Sequence, residues 1–187
     1  MAKIPTKGKK VLLHTCCAPC TTYVHKNLLE EDYDVTGFFY NPNIHPYTEY
    51  DKRITTMRLY ALEKDFPVVY IDDYDIENYF DIIFKKGDKR CFYCYMLRLE
   101  KTAAYAKQNG FSAFTTTMLL SPYQDQNLLQ EAGDLVSKKI NIPFLYKDFR
   151  SGYKESIEIS KEMNLYRQKY CGCIYSERDR FKPKIKK

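Results

Sequence analysis

What most restricts the fold of this chain is its alternation of short apolar runs with longer amphipathic stretches. The runs Val11–His14, Val35–Tyr40, Pro67–Ile71, Ala113–Met118 and Phe144–Tyr146 are bounded and short, as strands are. Between them, Tyr50, Ile54, Met57 and Ala61 recur at spacings of 4, 3 and 4, which places them on one face of a helix. Met96, Leu99, Ala103 and Ala106 repeat that period, and Gly110 supplies a stop. Leu128, Ala132 and Leu135 mark a further helix before a break at Asn141–Pro143. Strands alternating with helices through short connections predict an α/β protein, with a parallel sheet covered on both faces. No repeat or low-complexity linker divides the chain, so residues 1–187 read as a single domain able to bury a core. Arg178, Arg180, Lys182, Lys184, Lys186 and Lys187 read as a short basic C-terminal tail.

Open parallel sheets bind their ligands outside the carboxyl ends of the strands. The first candidate strand, Val11–His14, runs directly into Thr15-Cys16-Cys17-Ala18-Pro19-Cys20. A nucleotide-binding fold carries a glycine-rich phosphate loop at that point. This segment has no glycine, so cradling of phosphate by backbone amides is not expected. Thiols stand there instead.

The chain has 7 cysteines, an odd number that argues against full pairing. The basic stretch before Val11 lacks a signal peptide's apolar run and cleavage site, and no run approaches the roughly 20 apolar residues that cross a bilayer. A cytoplasmic location is therefore expected, where thiols are kept reduced and disulfide frameworks are rare. Three groups form: Cys16, Cys17 and Cys20; Cys91 and Cys94; Cys171 and Cys173. Thiolates three positions apart can face one metal or cluster, because the intervening turn brings the sulfurs together. Cys91-Phe92-Tyr93-Cys94 also precedes a predicted helix, whose N-terminus lowers thiol pKa. Two such groups converging above the sheet would offer four thiolates. Zinc and an iron–sulfur cluster both accept that set, and spacing separates them poorly.

Cys171-Gly172-Cys173 differs. A disulfide across one residue closes a strained ring, and strained bridges are oxidising and labile. The pair suits cycling between dithiol and disulfide; two further metal ligands or inert thiols are the competing reading. Of the histidines, His14 reads as a packed core residue and His25 as a surface one. His45 stands in a loop that either lines the crevice or serves as a rigid connector. Asp72-Asp73-Tyr74-Asp75 reads as a solvated turn. The 18 Tyr and 11 Phe with a net charge of +6 are compatible with a nucleic-acid surface, without requiring one.

Several segments together resemble the QueH-type epoxyqueuosine reductases. They are Leu12-Leu13-His14-Thr15-Cys16-Cys17-Ala18-Pro19-Cys20, Phe39-Tyr40-Asn41-Pro42-Asn43-Ile44, Arg90-Cys91 through Cys94-Tyr95, Thr115-Thr116-Thr117 through Ser121-Pro122, and Tyr166-Arg167-Gln168-Lys169-Tyr170-Cys171-Gly172-Cys173. They follow the family's order over nearly the whole chain; the stretches before Arg90 and around Asp148–Gly152 are shorter than the family's pattern. The resemblance implies a Rossmann-like three-layer fold related to the adenine-nucleotide α-hydrolases, with residues 1–187 as one catalytic domain. It implies reduction of epoxyqueuosine at the tRNA wobble position to queuosine, the last step of queuosine biosynthesis. By the same resemblance Cys16, Cys17, Cys91 and Cys94 would bind a [4Fe–4S] cluster, with room for an additional metal ion, and Cys171 and Cys173 would be the redox-active catalytic pair. Cys20 matches the motif but takes no role from it. The implied partners are a tRNA anticodon stem-loop and an unidentified electron donor, with no membrane. Epoxide removal also needs an acid, for which Asp125, His45 and several tyrosines are candidates.

Two other readings compete. A zinc-stabilised RNA-binding module without catalysis would use the thiols structurally, yet would not need Cys171 and Cys173. A general thiol–disulfide oxidoreductase would use Cys17-Ala18-Pro19-Cys20, with Cys17 as nucleophile at a strand-to-helix junction.

Overall fold

The computed structural model of the protein describes residues 8–183, so Lys184, Lys186 and Lys187 of the expected tail lie outside the described residues, as do residues 1–7. In chain order the elements are β1 (Lys10–His14), α1 (Ala18–Glu30), β2 (Asp34–Phe39), α2 (Tyr47–Glu63), β3 (Val68–Tyr70), α3 (Ile76–Ile83), α4 (Arg90–Gln108), β4 (Ala113–Thr116), α5 (Gln126–Ile140), α6 (Tyr153–Glu162) and α7 (Ile174–Phe181). Short 3-10 turns cover Gly87–Lys89, Thr117–Leu120 and Arg150–Gly152.

The four strands lie in the order β3-β2-β1-β4, and every pairing is parallel. Val11 in the central strand aligns with Val35 of β2 on one side and Ala113 of β4 on the other. Val11, Leu12 and Leu13 are fully buried, as the continuous apolar run of a strand covered on both faces requires. Helix α1 packs with α2 and α6 on one face, while α4 packs with α5 and against β1 and β4 on the other. The result is a three-layer, Rossmann-like α/β fold. Since β1 to β3 run one way across the sheet and β4 the other, the switch point falls between β1 and β4. Among the described residues, no helix is long and apolar enough to cross a membrane.

Local chemistry sets the boundaries. Pro19 in the first turn of α1 has no N–H to leave unpaired there. Helix α4 ends in a Schellman turn, with Gly110 at φ +72 and the Phe111 amide donating to the Ala106 carbonyl at 3.0 Å. Helix α5 ends at Asn141 in the left-handed region, φ 57. Its buried face is Leu129, Ala132 and Val136, whereas the expected Leu135 is 42% exposed. The period was right and the phase one residue off, because Gly133 lets the helix lie close against Phe144.

Two expected strands end early. Beyond Thr116 the chain turns into the 3-10 segment, its Met118 amide donating to Thr116 Oγ1 at 3.2 Å. Phe144 makes one parallel bridge, to Phe114, rather than a strand to Tyr146. Pro143 has no amide for a ladder, and the Tyr146 amide turns back onto the Phe144 carbonyl at 3.1 Å.

A Cβ on Gly133 would stand 2.1 Å from the Phe144 ring. Overpacking of that kind costs about 1–3 kcal/mol, and alanine's better helix propensity returns up to about 1 kcal/mol. Gly133→Ala is expected to lower the urea midpoint of unfolding without changing its slope. An unchanged or raised midpoint would show that Phe144 moves aside freely.

Candidate active site

The carboxyl end of β1 delivers the first thiols to the switch point. Cys17 is the N-cap of α1, and Cys20 lies in the helix's first turn. The sulfurs of Cys16, Cys17 and Cys20 all lie within 4.8 Å of one another. Cys17 and Cys20 are buried and Cys16 is partly exposed. Thr117, just past β4, closes the other side: its Oγ1 accepts from the Cys16 amide at 3.2 Å and lies 3.3 Å from Cys16 Sγ. Hydrogen bonds from the Cys17 and Cys20 thiols hold the Cys16 thiol well below its usual pKa, and those partners are correspondingly raised.

Cys91 lies in the first turn of α4 and Cys94 at the start of the second. They are not part of the close trio: among the described residues, Cys16, Cys17 and Cys20 are the only three potential ligands so tightly grouped. Cys94 is buried and Cys91 exposed. The expectation that the helix N-terminus lowers these thiols does not hold for Cys94, whose burial pushes its pKa up to about 12. Cys94 packs with Tyr79 and Ile83, against which Cys173 also rests.

Arg98, one turn after Cys94, links the groups. It is 1% exposed, its Nε donates to the Cys94 carbonyl at 3.2 Å, and its Nη2 has no partner among the described residues. Burial alone would lower its pKa, but the charges of Cys94, Cys171 and Cys16 outweigh that and raise it. A buried cation with a spare N–H near several thiols suits an anionic thiolate centre. The soft donor set of the trio suits a thiophilic metal or cluster equally.

The segment after α6 folds back to the strand ends. Gln168 Nε2 donates to Cys17 Sγ at 2.9 Å, and the His45 amide donates to the Gly172 carbonyl at 2.8 Å. Gln124, in the loop beyond β4, donates from Nε2 to Cys171 Sγ at 3.4 Å and accepts from Tyr95 Oη at 2.8 Å. Cys173 caps α7, its sulfur accepting from the Ser176 amide at 3.4 Å. Cys171 is exposed, Cys173 partly so, and all 7 cysteines are free thiols. The Asn41–His45 loop, carried by β2, frames this segment, and Asn41 Nδ2 ties it to the Thr15 carbonyl at 2.9 Å.

Other candidates separate clearly. His14 is fully buried between Thr116 Oγ1 at 2.9 Å and the Tyr40 carbonyl at 3.2 Å, a packed core histidine. His25 is not a surface residue: it is buried, stacked on Phe66 and hydrogen-bonded to Tyr60 at 3.1 Å. His45 is buried against Phe80 and Tyr79, and desolvation lowers its pKa to about 4, which disfavours the imidazolium form. Asp125 caps α5 through the Leu128 amide at 3.0 Å. Asp72 accepts from Tyr50 Oη at 3.0 Å and pairs with Arg58 at 2.8 Å. Asp75 caps α3.

Sequence reasoning missed Thr117, Gln124, Gln168 and Arg98 and left Cys20 without a role. Thr117 and Gln168 stand in segments that carry the family resemblance but took no role from it, and Arg98 carried a signal of its own, a cation on the apolar face of α4 one turn from Cys94.

The chain matches the sequence model of the family described as "Epoxyqueuosine reductase QueH" over residues 11–179. A protein of that description from Dehalococcoides mccartyi is 39% identical over 172 residues, covering 92% of this chain and 94% of that protein. One from Thermotoga maritima is 37% identical over 180 residues, covering 89% of each. Among solved structures, the U34-tRNA thiolase NcsA from Methanococcus maripaludis with its [4Fe-4S] cluster superposes with a TM-score of 0.57 at 16% identity, covering 91% of this chain and 62% of that one. A predicted subunit of a tRNA methyltransferase from Methanocaldococcus jannaschii gives 0.54 at 16% identity, covering 82% and 75%. At such identities the likeness is one of fold.

Proposed function

The chain belongs to the epoxyqueuosine reductase QueH family, and on that premise we propose that it reduces epoxyqueuosine at the wobble position of tRNA to queuosine. The observation that carries the reading is that the stretch leading into Cys171 and Cys173 meets the N-terminal thiols, through Gln168 on Cys17 at 2.9 Å. Removing the epoxide oxygen breaks two C–O bonds, forms a C=C bond and consumes two electrons and two protons. Cys171 and Cys173 supply both: two thiols become one disulfide, and their protons leave with the oxygen as water. The amide of Gln124 orients Cys171 Sγ for this work. An external electron donor then returns the disulfide to the dithiol.

The proposed cofactor is a [4Fe–4S] cluster held by Cys16, Cys17, Cys91 and Cys94, with Cys20 beside it as a further thiol for the cluster or an additional metal. When bound, such a cluster would supply electron relay, and an additional metal with an open position would supply a Lewis-acid site. Arg98 offsets the negative charge of the thiolates that hold it. Residues 1–187 act in this reading as one catalytic domain.

The test is anaerobic incubation of the reconstituted protein with reductant and a tRNA carrying epoxyqueuosine, followed by nucleoside mass spectrometry. Conversion to queuosine is the expected result. A colourless protein with stoichiometric zinc that binds the tRNA and leaves it unchanged would overturn the reading in favour of a zinc-stabilised RNA-binding module.

Binding should also depend on salt. Arg178, Arg180 and Lys182 are exposed at the end of α7 and just beyond it. Phosphate contacts by such groups release counterions, so about four contacts cost about 10²-fold in affinity between 50 and 200 mM salt. A filter-binding titration insensitive to salt would remove the tRNA surface from the proposal.

A further inference from the structure

Glu49 and Arg53 form a buried ion pair on α2 whose hydrogen bonds to the Cys171–Cys173 segment and the residue before it all go to backbone carbonyls. Their side chains are 8% and 1% exposed. Arg53 Nε donates to Glu49 Oε1 at 2.8 Å, and Nη2 lies 2.7 Å from the same oxygen. The rest of the guanidinium is spent on two successive carbonyls: Nη1 on Cys171 at 2.8 Å and Nη2 on Tyr170 at 3.0 Å. Tyr166 Oη closes the network by donating to Glu49 Oε2 at 2.5 Å. The Tyr170 ring lies under the guanidinium, 5.6 Å from its centroid. Gly172, at φ +144, fits close beneath: a Cβ there would stand 3.1 Å from Ile44 and 3.3 Å from Arg53 Nη1.

A buried ion pair is a weak source of net stability, since desolvation offsets most of the attraction and apolar residues of equal volume serve as well. What a guanidinium offers and a hydrocarbon does not is a rigid fork that fixes the direction and spacing of its acceptors. Here the fork holds the carbonyl before Cys171 and that of Cys171 itself, which sets where its sulfur stands.

We propose that Glu49, Arg53 and Tyr166 form a latch that positions the Cys171–Gly172–Cys173 segment over the N-terminal thiols. Arg53 is a positioning residue, since it touches backbone and not the reacting atoms. The proposal rests on the redox reading of Cys171 and Cys173 given above. Its effect falls on turnover rather than on RNA binding, because the pair is buried away from any surface a tRNA could reach.

The test compares Arg53→Lys, Arg53→Met and Tyr166→Phe with the full-length wild-type protein. Lysine keeps the charge beside Glu49 but replaces the fork with a point donor. A misplacement near 1 Å costs about 10²-fold in rate, so Arg53→Lys should lose about that much kcat with KM for tRNA and iron content unchanged. Tyr166→Phe should show a smaller loss of the same kind. Trypsin reports the latch independently of activity. Arg167 and Lys169 are exposed in the strap between α6 and α7 that carries Cys171 and Cys173, and cleavage after them should run about tenfold faster or more in the Arg53 variants as the strap opens locally. Wild-type kcat together with an equally resistant strap in both Arg53 variants would overturn the latch. So would a rise in KM at unchanged kcat, which would make Arg53 an RNA-binding residue. If Cys171→Ser and Cys173→Ser turn over as wild type, the redox reading falls instead, and the trypsin result still decides the latch.

Discussion

Cys171→Ser and Cys173→Ser should each abolish conversion of epoxyqueuosine in a single-turnover assay while iron and sulfide stay at wild-type levels. The reason is electron counting. Opening and deoxygenating the epoxide takes two electrons, and a lone thiol cannot supply them as a dithiol closing to an intramolecular disulfide does. Neither side chain is deeply enclosed: Cys171 is exposed and Cys173 partly buried. Serine at these positions therefore adds no buried orphan hydroxyl, and the fold should tolerate it with changes within about 0.5 kcal/mol, as surface substitutions do. The expected loss is at least about 10³-fold, because removing one member of a unit that acts together costs nearly as much as removing both. Assaying the double variant on the same tRNA checks that non-additivity. Unimpaired product formation by both single variants would leave the pair structural. Lost activity accompanied by lost iron would make them ligands and redraw the assignment of the centre.

Metal content should respond in the opposite pattern to substitution of the four proposed ligands. Cys16→Ser, Cys17→Ser, Cys91→Ser and Cys94→Ser are each expected to strip most iron from anaerobically purified protein and to bleach its broad visible absorption. A hydroxyl is a poor ligand for a thiophilic centre, and even residues that only support a ligand are worth about 10–100-fold in metal affinity. Secondary structure should survive, although Cys17 and Cys94 lie at 1% and 8% exposure, where an unpaired hydroxyl costs about 1–3 kcal/mol. Cys20→Ser separates two arrangements. With its sulfur inside the 4.8 Å group, Cys20→Ser should lower metal content too, though a centre held by the other four thiols keeps most of its iron. Iron and sulfide analysis with far-UV circular dichroism on all five variants is the measurement. Full iron in the first four would dismiss them as ligands.

Much of this architecture was legible in the sequence because its signals are local. A continuously apolar Val11–Leu13 means a strand buried on both faces, wherever it sits in a fold. Gly110 ends α4 through a turn that needs only the residues beside it. The absence of glycine after His14 told that thiols, not phosphate, belong at the first strand's end, and the structure places the trio of sulfurs there.

What stayed hidden depends on residues far apart in the chain. His25 looked like a surface residue because its partners, Tyr60 and Phe66, are contributed by α2 and the loop beyond it. Leu135 matched the helical period of α5, but the phase was set by Phe144, which presses on Gly133 from another segment. Burial, which only the assembled fold confers, reversed the effect of a helix N-terminus on Cys94. Cys20 joins the other two thiols only because the first turn of α1 brings its sulfur beside those of Cys16 and Cys17. Arg53 and Cys171 are 118 residues apart, and no periodicity or spacing connects them. Residue types and their periods determine which elements form and which chemistry the chain carries. Partners, protonation and the direction in which each sulfur points come from desolvation and long-range contact, and those exist only once the chain has closed on itself.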